Sequence, residues 1–424
     1  MKRLFAGMAI LMALPVCWIG LTRWLDTRHA PFADRPWAES SLSLNQIASM
    51  FPRTTRNSAA ADIEAAAVKL GIVFREARYA PPSKSPEAER LTGLGLGKFV
   101  KSQMDRADDA IDPIPPEALR FLADHAPEIA AIRSAASRNP IWDSDVTELF
   151  AGPVPNTEDH GRLCSVLAVH ALERMRRGDW PDALATLDAA WRIAAAFRAR
   201  PECASQFVAL SADRQLLGLL RKIPPPQPAW SARAAGGDRR RSMLLAVQTE
   251  VWMFNQFEKR YDPTAGGGPT GTTPDWTSVG QMGGIDVPLL RIAATSYLRT
   301  TRRVVAPRRA IDLCTLDKSA YNTIREKEET SRWNIFVHGR ISDVAAMLQL
   351  ATRGALDAEL TRKILESDTL TGSGTLPSSI CPGMTWHYQV SERGVTITAS
   401  RDPFDGSVGG LPLTFVGHRT RRSP

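Results

Sequence analysis

Trp142-Asp143-Ser144-Asp145, with Glu148 just beyond, gathers carboxylates within a few positions. A glycan hydrolase uses such a pair, one as acid and the other as base or nucleophile. The same residues serve equally as a capped helix start, because Asp and Ser side chains accept from free backbone N–H groups. Glu158-Asp159-His160 is the one tight acid–histidine cluster, and acids in the first turn of a helix account for it without catalysis. The other histidines are scattered, with no HExxH or HxH metal pair. No GxSxG elbow presents a serine nucleophile. Gly266-Gly267-Gly268 is not followed by the Lys-Ser/Thr of a phosphate-binding loop. Glu250 falls in an apolar helical stretch, and its simplest place is that helix's polar side. The expectation is a chain with no catalytic, cofactor-binding or metal-ligating set and no cofactor.

Four cysteines stand outside the N-terminal run: Cys164, Cys203, Cys314 and Cys381. An even number in an exported chain suggests two disulfides. Cys164 lies in the second turn of a predicted helix, and Cys203 just past the end of the next, antiparallel one. That puts them at one level and predicts Cys164–Cys203, leaving Cys314–Cys381 as the second bridge. Four buried thiols are the alternative. With no CxxC, zinc and thioredoxin-type readings are poor.

The compartment follows from the first residues. Lys2-Arg3 precede an apolar run from Leu4 to Leu21, about long enough to span a bilayer. Trp18 and Trp24 suit the outer interface, and the positive end stays in the cytoplasm. No small-x-small cleavage site closes the run, and Val16 is too large to precede a lipoprotein cysteine at Cys17. Residues 1–25 are therefore expected to be an uncleaved anchor in a bacterial inner membrane, with the body in the periplasm. A cleaved signal peptide is the alternative. The net charge of +8, from arginines in short clusters such as Arg239-Arg240-Arg241, comes with no nucleic-acid-binding motif and fits solvated helix faces. At 43% hydrophobic and 23% charged residues, the body can bury a sizeable core.

The elements that would position these residues are mainly helices. A linker, 26–40, leads into a helical domain, 41–330, and then a C-terminal α+β unit, 331–424. The central stretch predicts three antiparallel helices. The first starts near Asn156 or Thr157, with Leu163, Val166, Leu167, His170, Ala171 and Met175 on one face, and ends at Gly178. The second starts at Asp179-Trp180-Pro181, where a proline in the first turn costs nothing. The third opens after Pro201 and stops at Pro224-Pro225-Pro226. Further helices are predicted at Ser43–Met50, Ala59–Leu70, Leu91–Arg106, after Pro115-Pro116, Pro127–Ser137, Arg240–Tyr261, Pro288–Val305, Leu316–Glu329, Ile341–Leu350 and Ala355–Glu366. Asp262–Gly284 is the longest irregular stretch, a candidate partner-contacting segment. Thr385–Val390 and Val395–Ala399 alternate around Ser391–Gly394, a β-hairpin signal, with Leu413–Val416 as a further strand.

Gly178 to Leu184 followed by Ala189-Ala190 resembles the hinge of a tetratricopeptide-type helix pair, which implies a helical stack that binds other proteins. An ordinary helical hairpin carries the same residues. Three passages together resemble a group of uncharacterised bacterial membrane-anchored helical envelope proteins. They are Phe51-Pro52-Arg53-Thr54 with Asn57, Gly178 to Ala195, and Asp402-Pro403-Phe404-Asp405-Gly406 with Leu411-Pro412-Leu413. That resemblance implies an anchor, a long helical body and a small β-hairpin, and no activity. Asp402 and Asp405 also resemble the end of a pilin-like minor subunit, where carboxylates bind calcium, though two acids three apart usually just form a turn.

The sequence thus predicts a non-catalytic, membrane-anchored periplasmic scaffold or accessory subunit of an envelope complex. Its expected partners are other envelope proteins and the membrane itself, through residues 4–21, and not nucleic acid. The alternative is an envelope glycan or peptide hydrolase using clustered carboxylates.

Overall fold

Local sequence signals set the central helices. The computed structural model describes residues 42–74, 85–144, 157–225, 227–260, 341–392, 394–403 and 414–418, with isolated residues at 17, 20, 21, 24, 27, 28, 35 and 314. Helices α1 (Leu44–Ser49), α2 (Ser58–Lys69), α3 (Pro86–Gly93), α4 (Leu96–Met104), α5 (Pro116–Asp124) and α6 (Ala126–Ala136) come first. The central α7 (Thr157–Arg176), α8 (Trp180–Arg198) and α9 (Cys203–Leu220) follow, then α10 (Pro228–Ala235), α11 (Arg239–Arg260) and α12 (Ile341–Leu365). Gly178, at φ +75°, ends α7 in the left-handed conformation that favours glycine. One residue on, the Asp179 carboxylate accepts from the Asp182 amide and starts α8. The apolar stripes Leu163, Val166 and Leu167 on α7, Leu187 and Ala190 on α8, and Leu216 and Leu217 on α9 then close one core. All three helices touch one another, as an antiparallel stack requires.

Several helices differ from expectation. Leu91–Arg106 is two helices, because Gly95 adopts φ +61° between them. The stretch after Pro226 holds α10, whose Trp230 and Ala234 join the main core. Conversely, Ile341–Leu350 and Ala355–Glu366 are one continuous helix. Gly354 does not break α12. Its bare Cα is where the helix meets Leu210 and Arg239, whose side chains would lie 3.2 and 3.5 Å from a Cβ placed there.

Helix α12 belongs to two cores. Ala358 and Leu365 pack into the main helical core, while Leu356, Leu360 and Ile364 form a second core with Trp386, Ile397 and Phe415 of the sheet. The sheet is antiparallel in the order β1 (Ser373–Pro377), β2 (Thr385–Ser391), β3 (Gly394–Ala399), β4 (Thr414–His418). The expected hairpin is β2–β3, closed with Ser391 opposite Gly394, and β4 is the further strand. Edge strand β1 lies where the sequence predicts no element, between Glu366 and Thr385. The Val416 amide donates to the Ala107 carbonyl at 2.7 Å, tying the other edge to the loop after α4.

Among the described residues no helix is long and apolar enough to cross a membrane. The run Leu4–Leu21 lies almost wholly outside them, as do Asp262–Gly284 and the helices expected at Pro288–Val305 and Leu316–Glu329.

The cysteines divide differently from expectation. Cys314 and Cys381 form a disulfide beside the second core. Cys164 and Cys203 are buried but not joined to each other. Cys164 sits on α7 and Cys203 opens α9; a shared level fixes height and not direction, whereas a disulfide needs the two Cβ atoms within about 4 Å. Cys164 instead packs in the main core, and burial pushes its thiol up to about 12.

Candidate functional site

A cleft of about 730 Å³ opens where α10 ends, α11 begins and α12 passes. The loop between β1 and β2 forms its far wall through Ser379 and Ile380. Gly237, at φ +80°, turns the chain sharply between α10 and α11. Asp238 then caps α11, its Oδ1 accepting from the Arg241 amide at 2.9 Å. This turn delivers Arg239, Arg240 and Arg241 to the cleft, and α12 adds Arg362 from the opposite side.

These arginines are not equivalent. Arg239 is buried, and its Nε donates to Asp213 Oδ2 at 2.9 Å. Arg198 donates to the other oxygen of the same carboxylate. Two cations therefore share one buried acid, leaving an excess of positive charge behind the cleft wall. Arg240 and Arg362 are half-buried and Arg241 exposed.

Glu359 is the cleft's second carboxylate, and it is fully engaged. It accepts from Ser378 Oγ (2.6 Å), the Ser379 amide (2.7 Å), Ser379 Oγ (3.0 Å) and Trp386 Nε1 (3.0 Å). Burial alone would raise this carboxyl, but those hydrogen bonds outweigh it and hold the group below its ordinary value. Glu359 thus locks the sheet onto α12. Two residues earlier on α12, buried Asp357 accepts from Arg221, whose guanidinium also reaches Thr361 Oγ1 and the Met104 carbonyl, each at 3.2 Å. That cluster joins α12 to α9 and α4.

The acids singled out from the sequence are brought together with cations and caps. Glu158 and Asp159 both bind Arg162, at 2.6 and 3.0 Å, while His160 turns the other way. Its ring is buried edge-on against Phe74 and Phe197, with centroids 4.2 and 4.1 Å away. Asp143 accepts from the Arg56 amide at 2.9 Å, and Trp142 Nε1 donates to Glu64 at 3.0 Å. Asp145, Glu148 and Asp405 lie outside the described residues. Glu250 is half-buried on α11. No group of three or more His, Cys, Asp or Glu among the described residues is placed to hold a metal. The cleft itself had one sequence signal, the run Arg239–Arg241. Nothing in the sequence joined it to Arg362.

No family model, curated protein or solved structure matches this chain.

Proposed function

We propose that the protein is a membrane-anchored, periplasmic scaffold or accessory subunit of an envelope complex, without catalysis of its own. The Cys314–Cys381 disulfide is the observation that carries this reading, because such bonds persist outside the reducing cytoplasm. The apolar run Leu4–Leu21 behind Lys2-Arg3 agrees with it. The helical stack centred on α7–α9 supports a binding role, since stacked helices offer extended surfaces to other proteins. The carboxylates of the described cleft support it as well. Asp238 caps α11 and Glu359 is saturated with donors, so neither serves as one of the acid–base pair a hydrolase needs.

The test is gentle solubilisation of native membranes followed by capture of the tagged full-length protein. A stoichiometric set of envelope proteins is expected. Recovery of the protein alone across several detergent strengths would refute the subunit reading and leave the hydrolase alternative. Alkaline phosphatase fused after Pro424 is expected to be active, and an inactive fusion would refute the periplasmic placement.

A further inference from the structure

The cleft carries more positive charge than its own acids can neutralise. Arg240, Arg241 and Arg362 line it, and their guanidinium groups have no carboxylate or hydrogen-bond partner among the described residues. Arginines nearby are engaged: Arg221 by Asp357, Arg233 by Asp188, Arg192 by Asp188. Asp238 and Glu359, the acids facing the cleft, are committed to the α11 cap and to the sheet. Behind the wall the Arg198–Asp213–Arg239 cluster adds a buried surplus cation, and the first turn of α11 adds partial positive charge.

Charge count selects the ligand. A carboxylate would neutralise one of these guanidiniums. A phosphate monoester carries about −1.5 to −2 near neutrality and offers three acceptor oxygens, which guanidinium forks match. The volume exceeds a bare ion's needs, and Leu244, Ala355, Ala358 and Ile380 supply an apolar wall for carbon attached to the phosphate. We propose that this cleft binds a phosphate monoester, with Arg240, Arg241 and Arg362 as its clamps. The inference does not rest on the compartment or on the subunit role.

The experiment uses the full-length chain in neutral maltoside micelles at low salt, titrated calorimetrically with glycerol 3-phosphate. Saturable one-to-one binding is expected. R362Q and the double variant R240Q/R241Q are each expected to weaken it at least about tenfold, the loss of one or two charge-assisted hydrogen bonds. None of the three guanidiniums makes a hydrogen bond or ion pair among the described residues, so these variants should keep an unfolding midpoint close to wild type. R120Q/R138Q removes two exposed arginines elsewhere and should change binding less than about twofold. Phosphatidic acid doped into the micelles separates two sources of the same group. Displacement of glycerol 3-phosphate assigns the site to a lipid headgroup, and no displacement assigns it to a soluble ester. The proposal is overturned by no saturable binding, by binding that survives both cleft variants, or by an equal loss in R120Q/R138Q.

Discussion

Replacing Glu359 by alanine is expected to be among the costliest single changes in the C-terminal unit. The side chain is 2% exposed and takes hydrogen bonds from two serine hydroxyls, one backbone amide and one indole. The hydroxyls can turn to other acceptors. The Ser379 amide and Trp386 Nε1 are fixed by the backbone and by a fully buried ring, and each stranded donor costs about 1–3 kcal/mol. Lys363, 3.9 Å away and nearly buried, loses its counter-charge as well. Relief of the carboxylate's own desolvation returns part of this, so a net loss of about 4 kcal/mol is expected for Glu359→Ala. Glu359→Gln keeps one acceptor oxygen but turns an NH₂ toward the remaining donors, for a loss of about 2 kcal/mol. Urea denaturation of the oxidised full-length chain at pH 7, followed by far-UV circular dichroism, measures both. Two variants within about 1 kcal/mol of wild type, or glutamine as costly as alanine, would refute the role assigned to this carboxylate.

Acid should unfold the protein partly through His170. Burial, with Arg174 and Arg133 nearby, lowers its pKa to about 4, so the unfolded chain binds this proton first and stability falls as pH drops from about 6.5 to 4. The loss is about 3 kcal/mol, and His170→Leu should flatten that part of a pH-dependent denaturation series; an unchanged slope rejects it. Cys314→Ala opens a covalent loop spanning 67 positions and should cost about 4 kcal/mol on loop-closure grounds, read from paired urea curves; a loss under about 1 kcal/mol would contradict that account. Gly218→Ala sets a Cβ 2.7 Å from Met104 Cγ and 3.2 Å from its Cα, so α9 and α4 must part, at about 1–3 kcal/mol by thermal melting; an unchanged midpoint would show that Met104 simply swings away.

The central helices were legible because their signals are local. Gly178, Asp179 and Pro181 mark an end, a cap and a start within four residues, and the β2–β3 hairpin announces itself by alternation around Gly394. What failed depends on neighbours distant in sequence. The sequence predicts two helices, Ile341–Leu350 and Ala355–Glu366, yet the helix runs on between them and Gly354 is the contact point of α12 with Leu210 and Arg239. Gly95 reads as tolerable inside a helix, yet it takes a left-handed conformation that ends one. Helix α10 is short and bounded by Pro228 and Gly236, so its propensity is weak until Trp230 finds the core. Strand β1 is exposed on alternate residues and has little apolar pattern to show. Helix levels suggested Cys164–Cys203, but rotation about a helix axis, which level does not fix, decides whether two thiols meet. The cleft is the same case: its arginines come from helices far apart in the chain, and only packing brings them together.

Helix α12, with one face in each core, also limits how this chain can be inherited. A boundary at 330/331 looks like a seam where an ancestor could have gained or lost a tail. A chain ending there would lack the wall against which α9, α10 and α11 pack. A tail transplanted alone would carry Ala358 and Leu365 without the core they fill. Recombination at that point produces two incomplete pieces. The small sheet can therefore be exchanged between relatives only together with the helices that grip α12, and its sequence should drift in step with theirs.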